Sequence, residues 1–469
     1  MPDHPQQGGF FVPTDPAAPP LEAALAAGRR AIAVRRDLHR YPEVAWTEMR
    51  TASLAARRLS DLGWEVRIGA QVLDPTKRLG LPSPEELDAH ARRAAEQGAD
   101  PAFLERVQGG MTAVVGDLHG ALPGPTVALR VDMDALPIPE AEGAAHHPAQ
   151  AGFASANAGT MHACGHDGHT AIGLAVAEVF APLRAQMHGT LRLIFQPGEE
   201  GGRGALPMVA AGVLDDVDYL LSCHLGCGIP SGEFRSAMNG FFATTKIDAT
   251  FHGQAAHAGF EPDQGSNALL AAAQAVTALH AIPRHHGGAS RINVGVLRAG
   301  SGRNIIADTA YLMLETRGQT ADIDAYMVAR AKAALEGAAA MQGCSVEVVA
   351  AGSATTTPCD RALSDVVAEA AAAVPGLRAE AEPWHAGASD DFAYMMRRVQ
   401  ERGGLATYTG IGTDLPSGHH TRTFDIREAD LAPGVAALVA AIHRLLHHAG
   451  PPSSLAAGGG AALPRGAGR

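Results

Sequence analysis

His162-Ala-Cys-Gly-His-Asp-Gly-His169 packs three imidazoles, a thiol and a carboxylate into eight residues, and a largely apolar run to Phe180 follows it. Neither solvation nor core packing gives an ordinary reason to gather so many metal-capable groups. Thiolate and imidazole are the ligands that borderline transition ions prefer. The pattern over 169–180 predicts a helix, with Asp167 placed to cap its start. Upstream, residues 126–131 read as a short strand ending at Asp132-Met133-Asp134. Downstream, 191–195 read as a strand ending at Gln196-Pro-Gly-Glu-Glu200, and 219–223 as a strand ending at His224. This is an α/β rhythm. In an open, largely parallel sheet, ligands bind beyond the carboxyl ends of the strands. Cys164, His166, Glu199, Glu200 and His224 are therefore expected around one crevice, with His419-His420 brought in from a distant segment.

Size and composition fit that reading. The chain has 469 residues, 46% hydrophobic and 18% charged, which suits two or three globular domains with a large core rather than a disordered chain. A formal net charge of -12 argues against a nucleic-acid partner, which needs a basic face. Arg35-Arg36 and Arg57-Arg58 read as pairs on exposed helix faces. No stretch reads as long and apolar enough to span a bilayer, and residues 1–20 do not read as a secretory signal. The five cysteines form an odd, sparse set, which does not suggest a disulfide framework; a reduced, cytoplasmic setting is expected. Cys223 and Cys227 flank His224 without a second pair, which argues against a structural zinc there.

Residues 1–20 read as a loose leader, followed by a helix with Leu21, Ala24, Leu25, Ile32 and Leu38 at helical spacing. Residues 71–110 are polar and read as a helical excursion between two strands, or a mobile loop. Residues 241–352 change rhythm to β-α-β-β-α-β, the split ferredoxin-like order. The expected domains are 21–240 with 356–448 as a discontinuous metal-binding unit and 241–355 as an insertion, with flexible termini at 1–20 and 449–469.

Cys164 and His166, one residue apart in a Gly-containing turn, can reach one centre. His162 and His169 read either as orienting groups or as structural ones. The adjacent carboxylates Glu199 and Glu200 can diverge, one toward a metal and one toward water, which sets a general base beside a Lewis acid. Asp132 and Asp134 read as supports for a ligand histidine or for the turn.

The chain resembles the aminoacylase and amidohydrolase branch of the dinuclear metallopeptidases, which also include the carboxypeptidase G type. The resemblance rests on Arg130-Val-Asp-Met-Asp-Ala-Leu136, His162-Ala-Cys-Gly-His-Asp-Gly-His169, Gln196-Pro-Gly-Glu-Glu200, Ala255-Ala-His-Ala-Gly259 and Gly387-Ala-Ser-Asp-Asp-Phe-Ala-Tyr394. A closer likeness within the branch rests on Asn157-Ala-Gly159, the 71–110 insertion and Gly300-Ser-Gly-Arg-Asn304. It implies an α/β fold: a mixed, largely parallel sheet domain with an inserted ferredoxin-like lid and dimerisation domain. It implies two divalent metal ions, Mn2+ favoured and Zn2+ possible, held by Cys164, His166, Glu200, His224 and His420. Glu199 would be the general base. His257 would reach across a dimer interface to stabilise the oxyanion in the partner's site, and Asn304 and Arg317 would grip the substrate's carboxylate. The chain departs from the branch at Gly198, at Ala307 and at Asp390, where alanine, proline and glutamate are usual.

The resemblance thus implies metal-assisted hydrolysis of an N-acyl amino acid, such as an aroyl-glutamate, by a homodimer or a heteromer with a related subunit. Two alternatives stand beside it. One is a general N-acyl-amino acid deacylase or dipeptidase. The other is a non-catalytic subunit of a heteromeric hydrolase, against which the intact Glu199 and full ligand set argue. His257 could also be merely exposed, and Arg317 could pair with Glu315 or Asp308.

Overall fold

The computed structural model describes residues 18–448; the expectations for a leader before residue 18 and a tail after residue 448 lie outside them. The chain starts with α1 (Leu21–Arg40), α2 (Met49–Asp61) and β1 (Glu65–Ile68). The excursion at 71–110 is helical: α3 (Pro84–Glu96) and α4 (Pro101–Val107) precede β2 (Val114–His119). Ser83 caps α3 by accepting the Glu86 N–H, and the Glu86 carboxylate accepts the Ser83 N–H in return. Then come β3 (Leu122–Asp132), the short α5 (His147–Gln150), α6 (His166–Phe180), β4 (His188–Gln196), α7 (Ala205–Ala210), β5 (Tyr219–Leu225), β6 (Glu233–Arg235) and β7 (Met238–Asn239).

An inserted unit follows: β8 (Ala243–His252), α8 (Ala268–His280), β9 (Ser290–Ala299), β10 (Thr309–Gly318), α9 (Ala321–Met341) and β11 (Ser345–Ala354). Its strands form one antiparallel sheet in the order β11-β8-β10-β9. The expected β-α-β-β-α-β pattern is present. Ile247, Ala249 and Phe251 of β8 pack with Leu312 and Leu314 of β10 against Ala275 of α8 and Met327 of α9. Side chains alternate along a strand, so Thr244 and Lys246, with Glu315 and Arg317, lie on the opposite face.

The chain returns through α10 (Arg361–Ala371), β12 (Arg378–Glu380), β13 (Trp384–His385), α11 (Phe392–Glu401), β14 (Leu405–Ile411) and α12 (Leu431–Leu446). The main sheet has the order β1-β2-β4-β3-β5-β14-β6-β12. Its centre is parallel: β4, β3, β5 and β14 run side by side in one direction. Helices cover both faces. Leu129, Phe195 and Leu221 pack toward α1, α6 and α12, while Ala128, Ile194 and Leu220 pack toward α7 and α11. Burial on both faces explains why these strands read as nearly continuous apolar runs.

Two sequence expectations need correction. The segment Glu428–Leu446 is long and apolar enough to cross a membrane by length and composition, although no such stretch was expected. Most of it is buried inside the fold, which makes it a core helix, and that burial explains its composition. Arg35 is not on an exposed face; it is fully buried. Its guanidinium donates to Asp167 (2.8 Å), Asp425 (2.5 Å) and Glu428 (3.2 Å), and so joins α1 to the start of α6 and to the segment before α12. Arg57 and Arg58 are exposed, as expected.

Candidate metal centre

Each of the four central parallel strands delivers a functional group at its carboxyl end. β3 ends at Asp132, with Asp134 just beyond. β4 leads into the turn that carries Glu199 and Glu200. His224 lies inside β5, one residue before its end, rather than beyond the strand as its sequence suggested. β14 leads to the loop that carries His419 and His420. The His420 N–H donates to the Ala163 carbonyl (2.8 Å), which ties this loop to the 162–169 motif.

Asp167 is not the cap of α6. Gly165, at φ +95°, occupies that position and turns the chain between Cys164 and His166. Asp167 sits in the first turn and accepts from Arg35 and from the His39 ring (2.8 Å). The other two acids hold the frame. Asp134 accepts the N–H groups of both Glu199 and Glu200 (3.0 Å each) and so fixes the diglutamate turn. Asp132 pairs with His169 Nδ1 (2.6 Å) and with Arg130 (2.8 Å), while His169 Nε2 accepts the Leu225 N–H (2.9 Å). His169 is therefore an orienting residue between β3 and β5. His162 is fully buried, and neither of its ring nitrogens has a hydrogen-bond partner among the described residues.

The expected donor atoms converge. Cys164 Sγ lies 3.5 Å from His224 Nε2. His166 Nε2 lies 3.9 Å from a carboxylate oxygen of Glu199 and of Glu200, and His420 Nε2 lies 3.3 Å from Glu200 Oε1. Cys164, His166 and His224 form one group whose donor atoms all lie within 4.8 Å of one another; Cys164, Glu200 and His420 form a second, and His166, Glu199 and Glu200 a third. Nε2 of His166 is buried without a hydrogen bond, while its Nδ1 lies 3.3 Å from Asp134 Oδ1. Buried polar atoms are normally satisfied, so this donor set fits a cation.

The electrostatics agree. Burial opposes a charge on His166, yet Asp132, Asp134 and Glu200 outweigh it and push this group up to about 10. Burial, then the fields of Glu200 and Glu199, push the Cys164 thiol well above its usual range; a cation would draw the thiolate out instead. Burial, with His169 and His419 nearby, holds His224 well below the usual imidazole range, so it is a neutral donor. Glu199 is pushed well above the usual carboxylate range, first by burial and then by Asp390 and Glu200.

A cleft of about 400 Å³ opens onto these groups. Cys164, Glu199, Glu200, His224 and His420 line one wall, and Met238, Phe241, Lys246 and Arg317 line others. Phe241 stacks on Tyr408 with ring centroids 5.2 Å apart. Asp390, the shortened carboxylate, also lines the cleft; it accepts from Tyr408 (2.5 Å) and Arg130 (3.3 Å).

The remaining expected residues separate. Arg317 lines the cleft, but its guanidinium donates to both oxygens of Glu315 (2.9 and 3.2 Å), the pairing that its sequence neighbours allowed. Asn304 is not beside it. Asn304 and His257 sit together on the inserted unit, where the Asn304 carbonyl accepts the Ala258 N–H (3.0 Å). Both are outside the cleft of their own chain, and Asn304 is exposed. Three residues at the cleft had no role assigned from the sequence: His419, expected at the crevice beside His420, Cys227 and Lys246. His419 Nδ1 lies 3.6 Å from Cys164 Sγ, and its Nε2 accepts the Cys227 N–H (3.1 Å). Cys227 Sγ lies 3.2 Å from His224 Nδ1, so a cysteine weighed from the sequence only as a structural-zinc ligand borders the site. The dipeptide His419-His420 and the three-residue spacing to His224 were signals for these two; nothing in the sequence marked Lys246. Cys227 and His420 are also two of only three non-glycine residues at positive φ among the described residues (+52° and +61°), and such backbone conformations concentrate at functional sites.

Known proteins share this architecture. The indole-3-acetyl-aspartic acid hydrolase of Enterobacter agglomerans is 49% identical over 405 residues, covering 86% of this chain and 93% of its own. A p-aminobenzoyl-glutamate hydrolase subunit of Escherichia coli is 48% identical with the same coverage. Among solved structures, an aminobenzoyl-glutamate utilization protein from Klebsiella pneumoniae is 42% identical, with a TM-score of 0.78 over 91% of this chain and 98% of its own. The YXEP protein of Bacillus subtilis, described as a dinuclear metal binding peptidase, is 25% identical, with a TM-score of 0.62 over 90% of this chain and 98% of its own. The pattern of peptidase family M20/M25/M40 matches residues 128–444; with these relatives, it shows that the chain belongs to that family and is a metal-dependent amidohydrolase.

Proposed function

We propose that the chain hydrolyses the amide bond of an N-acyl amino acid with an aromatic acyl group and an acidic amino acid, p-aminobenzoyl-glutamate or a related aroyl-glutamate. The observation that carries this reading is the convergence of Cys164, His166, Glu200, His224 and His420 beside Glu199 in one cleft with an apolar wall. The five converging side chains would hold two divalent cations. Manganese is favoured and zinc also suits the mixed thiolate, imidazole and carboxylate set. Divalent cations bound there supply Lewis acidity, which polarises the scissile carbonyl and acidifies water.

The chain's own groups do the rest. Glu199, raised above the ordinary carboxylate range, accepts the proton of the attacking water and passes it to the leaving amine nitrogen. Asp134 holds the Glu199 backbone, so the base is fixed before substrate arrives. Phe241, braced by Tyr408, offers a flat apolar surface to an aromatic acyl group. Arg317, fixed by Glu315, keeps donors free for the substrate's α-carboxylate.

His257 and Asn304 complete the cleft of a second copy. Their end of the inserted unit carries Phe260, 79% exposed, and Ile305, and the edge strand β9 nearby exposes Leu297. An open sheet edge beside exposed apolar side chains favours association with another chain. Among the described residues the five cysteines are free, which suits a reducing cytoplasm. The test is hydrolysis of p-aminobenzoyl-glutamate by the metal-loaded chain, with release of p-aminobenzoate and glutamate. Failure to cleave this amide or any related aroyl-glutamate rejects the reading.

A further inference from the structure

The cleft holds two basic side chains, on neighbouring strands of the inserted unit. On the face turned away from α8 and α9, Lys246 of β8 lies opposite Glu315 of β10, and Thr244 lies opposite Arg317. Lys246 and Arg317 are thus diagonal neighbours, roughly 7 Å apart at the backbone. They differ in what they already hold. Arg317 is bound through Nε and Nη2 to Glu315. Lys246 has no ion-pair or hydrogen-bond partner for its ammonium among the described residues, although it is half-buried and lines the cleft. Glu315, the acid across from Lys246, is taken up by Arg317, and the acids that line the cleft belong to the metal side. That imbalance fits an anion that arrives with the substrate.

We propose that Lys246 binds the side-chain carboxylate of the amino-acid half of the substrate and makes the enzyme selective for acyl-glutamate and acyl-aspartate over neutral acyl amino acids. This rests on the hydrolase reading and adds the residue that reads the side chain. A dicarboxylate has two anionic ends a few ångströms apart. With Arg317 oriented by Glu315 toward the α-carboxylate, the diagonal neighbour is the cation that the second carboxylate meets. A neutral side chain forgoes the contact with the Lys246 ammonium, and the difference between the two contacts is the selectivity.

The experiment compares p-aminobenzoyl-glutamate with the isosteric neutral amide p-aminobenzoyl-glutamine, with the full chain loaded with manganese. The wild-type chain prefers the glutamate substrate by about 10- to 100-fold in kcat/KM, as expected for one charge-assisted contact. Lys246→Met, which keeps the aliphatic stem, brings that ratio to within about threefold of unity, chiefly through KM for the glutamate substrate. Lys246→Arg restores most of the preference. A Met variant that keeps the wild-type ratio, or that loses both substrates in equal proportion, overturns the assignment. A wild-type chain that cleaves neither amide overturns the hydrolase reading, and the assignment with it.

Discussion

A carboxylate serves as a base near neutral pH only when its surroundings lift its pKa toward that range, and Glu199 has such surroundings: burial first, then Asp390 and Glu200. Glu199→Gln keeps the shape and the Asp134 anchor but cannot take a proton. Its kcat should fall by about three orders of magnitude while elemental analysis finds the wild-type metal content; near-normal turnover would remove Glu199 from the role of base. The adjacent histidines divide differently. His420 faces Glu200, whereas His419 accepts the Cys227 N–H at Nε2 and leaves only Nδ1 toward Cys164, 3.6 Å away. His420→Ala should therefore lose bound metal after gel filtration, and His419→Ala should retain it; the reverse pattern would reassign the ligand. The cysteine, histidine and glutamate donors were legible because few other roles gather those residue types so densely. Lys246 and the Arg317–Glu315 pair were not, because pairing across strands depends on a register that the sequence does not display.

The turn between β4 and α7 shows how an element constrains the chemistry it carries. A Cβ at Gly204 would lie 1.6 Å from the Pro197 carbonyl oxygen, so only glycine lets the two ends of this turn meet. Gly204→Ala must move backbone, not a side chain. It should cost about 3 kcal/mol in denaturant unfolding and lower activity as well, since Glu199 and Glu200 lie between the two contact points. An unchanged denaturation midpoint would contradict this geometry. The clamp that joins α1 to the segment before α12 makes a second prediction. Burial raises the pKa of Glu428, but the hydrogen bond from Arg36 and the charge of Arg35 outweigh it, so the folded value lies below the ordinary 4.5. Such a group stabilises the fold fully above the unfolded value, and the contribution is lost as the pH falls through the folded value. Glu428→Gln should be less stable than wild type by about 2 kcal/mol near pH 7, and the gap should close as the pH drops below 4.5. A gap that holds constant into acid would show that charge is not its source. The parallel strands were readable from their apolar runs because both faces are covered. Arg35 misled because an arginine pair looks alike whether it meets solvent or three carboxylates, and those carboxylates lie more than a hundred residues away in sequence.

At the scale of the whole molecule, the cleft of one chain contains a base, a donor set and two cationic side chains, but not His257 or Asn304. The order β-α-β-β-α-β identified the inserted unit from sequence, yet sequence could not say which of its residues face the chain's own cleft. That depends on which sheet face the helices cover and on how the unit sits over the main sheet. His257 and Asn304 lie together beside Phe260, at an end of the unit that a second copy could cover. If each site in a symmetric dimer takes its base from one chain and its imidazole from the other, two different lesions should complement. In a dimer of one Glu199→Gln chain and one His257→Ala chain, one composite site carries both lesions and the other carries neither. Random pairing makes half of the dimers hybrid, each with one intact site, so the co-expressed mixture should reach about a quarter of wild-type kcat although each variant alone is nearly inactive. If His257 served its own chain, every site would keep a lesion and mixing would restore nothing. The recovered activity, about half of wild-type kcat on hybrids isolated with two different affinity tags, therefore decides whether the catalytic unit is one chain or two.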